Sequence, residues 1–220
     1  VVTKTVKRRA GAGAGASLFE FDRSLGVRFV AGADEAGRGC LAGPLMVAAV
    51  LFDEERLTAL QRKALAALND SKQTSAQVRA KLYPVILQVA ARVCVISRSA
   101  ATIDREGLHR TNLDALRTAL TTVACDGCVC LSDGFSVAPS FRALVKGDAT
   151  SAAVAAASVI AKETRDRYMR RADRLYPGYG LAEHVGYATT AHRDAIARLG
   201  VTPLHRLSFQ STAYQQLRLV

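Results

Sequence analysis

A chain of 220 residues, half of them hydrophobic, is long enough for one well-buried core and too apolar to be a disordered tail. Its formal net charge of +11, from 30 Lys and Arg against 19 Asp and Glu, favours a polyanionic partner, and charge alone would fit nucleic acid or an anionic membrane surface. No run approaches the roughly 18 apolar residues of a membrane span, and the absence of Trp argues against a single-strand binder built on stacking platforms.

Residues 1–16 are basic and then alternate Gly with Ala, which reads as a flexible arm ahead of a domain spanning 17–210. The Gly-Ala run lacks the apolar centre of a secretion signal. The arm either brushes a phosphate backbone or is only an untidy terminus. Val27 to Phe52 is the most informative stretch. An apolar strand ends in Asp34-Glu35, a turn follows through Gly37-Arg38-Gly39, and a second apolar strand begins after Gly43-Pro44. Carboxylates at the end of a buried strand must be paired, neutralised or bound to a metal. Neighbouring strand residues point to opposite faces, so Asp34 and Glu35 serve one site only if the chain bends just after them. Glycine permits that bend. A metal flanked by a phosphate- or sugar-reading loop is the economical reading.

Asp53-Glu54-Glu55 leads into a helix through Leu57, Leu60, Leu65 and Leu68, where three acids are explained by the helix dipole. Asn69 to Gln73 is a loop before a helix over 75–90, with Thr74 as cap, Gln77 as its reciprocal partner and a bend or break at Pro84. Val93 to Ser97 is a third strand. The spacing from Thr102 to Val123 predicts a helix with an irregular entry near Gly107.

Val129 to Ser132 is a short fourth strand that delivers Asp133, and Phe141 to Val145 a fifth that leads to Lys146-Gly147-Asp148. Sites in open α/β sheets form where strand ends converge, so Asp34, Asp133 and Asp148 meet if strands one, four and five are neighbours. A helix from about Ser151 to Arg174 follows, its small residues suited to lying close on the sheet. Asp166 lies too far along it to share a metal with Asp148 and reads as a solvated ion-pair residue between Arg165 and Arg167. Tyr176 to Gly180 is a turn, 190–199 a helix, and the four histidines make no i, i+4 pair, so His184 and His205 read as loop scaffolding or phosphate donors. Cys125, Cys128 and Cys130 come nearest to a zinc motif but fall short of four ligands. Read as small buried hydrophobes, the five cysteines imply a reducing, cytoplasmic setting.

Three blocks carry a family resemblance: Asp34-Glu-Ala-Gly-Arg-Gly with Leu-Ala-Gly-Pro; Lys146-Gly-Asp-Ala with the alanine run to Lys162-Glu-Thr-Arg165-Asp; and Tyr187 with His205-Arg206-Leu-Ser-Phe. Over about residues 25–210 the chain resembles the bacterial type 2 ribonucleases H, the ribonuclease HII family. Gln73, where the family often has a second lysine, and Ser132, where an apolar residue is more usual, are modest departures.

The resemblance implies an α/β ribonuclease H-like fold: a five-stranded mixed sheet with helices on both faces and a C-terminal helical segment. It implies an endoribonuclease that hydrolyses the phosphodiester 5′ to a ribonucleotide, in RNA–DNA hybrids or duplex DNA, leaving 3′-hydroxyl and 5′-phosphate ends. Two Mg²⁺ or Mn²⁺ ions would be held by Asp34, Glu35, Asp133 and Asp148. Gly37, Arg38 and Gly39 would meet the ribose 2′-hydroxyl, and Tyr187 the neighbouring sugar. Lys72, Lys146, His205 and Arg206 complete the expected substrate contacts. A different ribonuclease H-fold nuclease and a non-catalytic nucleic-acid-binding protein are the alternatives. The chain is expected to act as a monomer, away from membranes. Within the tail 211–220, Gln215 to Val220 looks similar to peptides that bind bacterial sliding clamps, with Val220 replacing their usual terminal aromatic.

Overall fold

The computed structural model describes residues 14–69 and 74–215; Lys72, most of the N-terminal arm and residues 216–220 with the clamp-like peptide lie outside them. In chain order, α1 (Ala14–Ser24) precedes β1 (Phe29–Ala36), β2 (Leu45–Asp53), α2 (Ala59–Ala64), α3 (Ala76–Val89) and β3 (Arg92–Arg98). Next come α4 (Ala100–Glu106), α5 (Leu108–Val123), β4 (Cys128–Asp133), β5 (Arg142–Leu144), a 3₁₀ turn (Gly147–Ala149) and α6 (Ala152–Leu175). The C-terminal segment adds α7 (Leu181–His184), α8 (Thr190–Leu199) and α9 (Thr212–Gln215).

The five strands form one mixed sheet in the order β3-β2-β1-β4-β5, with β1 antiparallel to β2 and parallel to β4, and β4 parallel to β5. Strands one, four and five are therefore neighbours, as expected from their shared aspartates. β2 is buried at every position because helices cover both faces. Val30 and Val50 pack towards α6, and Ala31, Ala33 and Val47 towards α5. Close approach of α6 depends on Gly32: a Cβ there would lie 2.2 Å from the Val154 amide nitrogen. Among the described residues, no helix is long and apolar enough to cross a membrane.

Several elements differ from their expected form for local reasons. The helix after β2 starts only at Ala59, behind a Thr58–Gln61 capping box, so the acids before it are not dipole partners. Asp53 instead pairs with Arg28 at 2.7 Å and Glu54 with Arg62 at 2.7 Å. Ser75, not Thr74, caps α3. α3 runs through Pro84 unbroken; Pro84 and Ala80, whose carbonyl loses its partner, lie on the exposed side, where solvent can replace that bond. Gly107, at φ +82°, divides the expected long helix into α4 and α5.

Packed structure reaches past both expected bounds of the domain. α1 begins within the stretch read as arm, and Tyr214 of the expected tail is buried, its hydroxyl donating to Leu41 O at 3.0 Å. α1 itself was not expected. It is held by Asp22, which is fully buried and accepts from the Ala153 amide at 2.9 Å, at the start of α6. Burial pushes the Asp22 carboxyl up to about 7, against the pull of Ser151 and the Ala153 amide. A raised carboxyl favours folding most below its unfolded value, and that contribution is lost as pH rises through 7. Asp22→Asn is therefore expected to gain stability relative to the parent by roughly 2–3 kcal/mol between pH 5 and pH 8, at about 1.4 kcal/mol per pH unit of linkage. Urea melts of both proteins at the two pH values measure it; parallel curves would contradict it.

Candidate active site

Three strand ends and one loop build the site. Asp34 lies on the α6 side of β1 and Glu35, next in the strand, on the α5 side. Both still reach one pocket, because β1 stops at Ala36 and Gly37, at φ +85°, turns the chain back, the Cys40 amide donating to Gly37 O. Asp133 is the last residue of β4, and Asp148 sits in the 3₁₀ turn before α6. The Gly147 amide donates to Asp133 Oδ1 at 2.6 Å and ties the two acids together. All four carboxylates line a cavity of about 530 Å³, with Gly37, Arg38, Gly39, Arg79, Lys162 and Tyr187 completing its walls.

Burial first, then the charges of Glu35 and Asp133, raise the Asp34 carboxyl well above the usual range, although Ser158 and the Glu35 amide (2.7 Å) pull the other way. Crowded oxygen donors that disfavour one another's charge suit a hard divalent cation, which would relieve the repulsion. Among the described residues no three such groups already close on a point as a cage. The donors instead border a cavity with room for water beside an ion.

The glycine loop is set by two buried arginines. Arg165 donates to Pro44 O at 3.0 Å, Ala42 O at 2.9 Å and Val185 O at 2.8 Å. Arg206 donates to Gly43 O at 2.8 Å and to Arg38 O at 2.9 Å. Carbonyls that no secondary structure satisfies are thus given charged donors, each such bond being stronger than a neutral one. The same loop is stitched to the C-terminal segment, the Ala42 amide donating to Gly186 O and the Gly43 amide to Leu204 O. Tyr187 follows Gly186, half exposed at 45%, with Lys162 Nζ 5.8 Å from its ring centroid.

A family model described as Ribonuclease HII matches residues 31–212. The chain belongs to the ribonuclease HII family. It is 47% identical over 185 residues to the ribonuclease HII of Rhizobium leguminosarum bv. trifolii, covering 82% of this chain and 77% of that one. To the ribonuclease HII of Mycobacterium tuberculosis it is 44% identical over 211 residues, 94% and 78% of the two chains. Among solved structures, the ribonuclease H2 of Pyrococcus horikoshii superposes with a TM-score of 0.72 at 25% identity, covering 86% of this chain and 98% of that one. The ribonuclease HII of a PCNA:RNase HII complex from Archaeoglobus fulgidus gives 0.69 at 25% identity, covering 83% and 96%. This ribonuclease HII is accordingly a type 2 ribonuclease H, an endoribonuclease with the ribonuclease H-like fold.

The structure revises several expected roles. Arg206 is fully buried and His205 nearly so, and neither lines the pocket. Arg206 supports the loop, and His205 packs in a row with His192 and His184, ring centroids 5.3 and 4.3 Å apart. This row supports Tyr187 through His192 Nδ1, 2.9 Å from Tyr187 O. Burial lowers the His192 imidazole to about 4, so the middle of the row is uncharged at neutral pH. Lys146 is exposed in the left-handed region (φ 56°) and is not part of the pocket wall. Asp166 is not solvated: it is buried, 2.7 Å from Lys162 and 3.3 Å from Arg79, and so steadies two cations of the pocket wall. Sequence reasoning gave no role to Arg79, Lys162 or Arg165. The i, i+4 spacing of Lys162 and Asp166 was the available signal for one of them. All five cysteines are thiols, and Cys128 and Cys130 sulfurs lie 3.4 Å apart in β4, at the far end of the sheet from the site.

Proposed function

We propose that this ribonuclease HII cleaves the phosphodiester 5′ to a ribonucleotide, in RNA–DNA hybrids and in duplex DNA, leaving 3′-hydroxyl and 5′-phosphate ends. The supporting observation is the convergence of Asp34, Glu35, Asp133 and Asp148 on one pocket whose lining also includes the Gly37-Arg38-Gly39 loop and Tyr187. The four carboxylates would hold two Mg²⁺ or Mn²⁺ ions, which when bound activate water and stabilise the leaving oxygen. The protein's own part is positioning. A side chain at Gly39 would meet no protein atom within 4 Å, so its bare backbone is open to a sugar hydroxyl, the group that distinguishes RNA from DNA. The partly exposed Tyr187 ring offers a flat surface to the next sugar. Arg79 and Lys162 bring positive charge to the phosphate while Asp166 fixes their places.

A 5′-labelled duplex with one ribonucleotide, incubated with Mg²⁺ or Mn²⁺ beside an all-DNA control, tests this reading. Cleavage on the 5′ side of the ribonucleotide, with the control intact, is expected. Cutting of the control would favour a nuclease of the same fold that ignores the 2′-hydroxyl, and metal-independent binding without cutting would favour a non-catalytic binder. We further propose that Gln215 to Val220 engages a sliding clamp, a reading supported by the PCNA complex of the Archaeoglobus fulgidus relative.

A further inference from the structure

A second concavity, about 680 Å³, runs along the outer face of α5 and is bordered by His109, Arg110, Leu113 and Arg117, with Ser136 and Val137 of the β4–β5 connection opposite. Resting on the proposed function, we infer that this groove seats the duplex backbone beyond the cleaved bond, so that the enzyme reads a longer stretch than its catalytic pocket covers. Charge is the first argument. The two acids of the groove are already matched: Glu106 pairs with Arg105 at 2.7 Å, and Asp114 with Arg98 at 3.0 Å and Arg117 at 2.8 Å. The lining itself holds Arg110 and Arg117, and with Arg98 and Arg105, which reach its two acids from outside the lining, four arginines stand against two acids here. Arg110 is exposed and has no acidic partner among the described residues.

Continuity is the second argument. Phe135 joins the groove to the catalytic loop, the Arg38 guanidinium lying 4.8 Å from its ring centroid on one side and the His109 ring 5.9 Å away, edge-on, on the other. At roughly 3.4 Å of rise per nucleotide, these two contacts together reach at most about three nucleotides. The donors are exposed side chains on a helix rather than a buried nest. They suit a repeating polyanion held at several weak points, whereas a single bound phosphate would call for buried donors. Leu113 and Val137 give the sugars an apolar floor.

Arg110→Ala and Arg110→Glu test the inference on a solvent-exposed position. A long single-ribonucleotide duplex is compared with two others, each truncated to about two nucleotides on one side of the ribonucleotide. On the long duplex and on one truncated form, KM should rise roughly three- to tenfold, more for Glu, with kcat unchanged. The slope of log affinity against log salt should fall by about one. On the other truncated form, which no longer reaches the groove, parent and variants should coincide. Equal KM on every duplex, a rise of the same size on all three, or a fall in kcat would overturn it. Fluorescence anisotropy of the same duplexes without divalent ions reads the groove separately, so a parent enzyme that binds but fails to cut would count against the proposed activity only.

Discussion

Asp34→Asn is expected to reduce cleavage by on the order of 10³-fold or more while leaving duplex affinity within a few-fold of the parent. The size follows from the several kcal/mol that one carboxylate of a cation-binding cluster contributes to the transition state, at about 1.4 kcal/mol per factor of ten. Its effect on stability should have the opposite sign. The Asp34 carboxyl is raised by burial and by Glu35 and Asp133, so in the unliganded protein its charged form is costly. That cost is absent below its ordinary value near 4 and grows as pH rises towards the raised one. Asn keeps an oxygen for the Glu35 amide and carries no charge. Melting temperature without divalent ions should therefore rise in the variant at pH 8 and not at pH 4. Asp126→Asn, an exposed turn position, is the matched control and should leave both properties unchanged. Near-parental turnover, or a lower melting temperature at pH 8, would remove Asp34 from the cluster.

Gly37→Ala and Gly39→Ala should fail in different ways, although two residues apart in one loop. Gly37 has φ +85°, and a Cβ there would lie 1.8 Å from Arg165 Nε. The methyl group must therefore displace the side chain that satisfies three loop carbonyls. Backbone strain of about 1 kcal/mol adds to the loss of charge-assisted bonds worth roughly 1.5–3 kcal/mol each. The variant should melt several degrees lower and lose about a hundredfold in turnover, as expected for a displaced positioning loop. At Gly39 the methyl group meets no protein atom, so stability should hold while KM for the ribonucleotide duplex rises. Differential scanning fluorimetry with steady-state kinetics on both variants separates the two losses. Identical thermal behaviour would show that Arg165 yields without cost.

The sheet and its four acids were legible because each signal was local. Asp34, Asp133 and Asp148 each close or follow a short apolar strand, and a parallel sheet brings such ends together. Some local signals were legible to within a residue, with Ser75 capping in place of Thr74 and Gly107 dividing one helix into two, while the break expected at Pro84 did not occur. The supporting shell was not legible. Arg206 was read as a substrate contact and Arg165 was given no role, because nothing in their neighbourhood in sequence reveals that Pro44, Gly43 and Arg38 carbonyls lie beside them. Their contacts span 121 to 168 positions of chain. Asp166 was misread for the same reason: its partner Arg79 is 87 positions away. Burial of a charge is a property of the packed tertiary structure, and a sequence window reports only the charge. Asp22 and its α1 helix belong to this class as well.

The stitching of the glycine loop to the C-terminal segment divides the labour along the chain. Every carboxylate of the pocket precedes residue 150, while Tyr187, the histidine row and Arg206 all come after residue 180. Arg165, Arg206 and several loop amides join the two stretches, together with the Tyr214 hydroxyl on Leu41 O and Asp104, which accepts from the Leu207 and Ser208 amides. On the proposed function, the acids and the loop that would meet the 2′-hydroxyl are thus encoded early in the chain, and the ring that would meet the next sugar late, with the loop as the seam between them. Changes after residue 180 can therefore alter the contact to the next sugar with the acids untouched, whereas a change that loosens the loop reaches both turnover and choice.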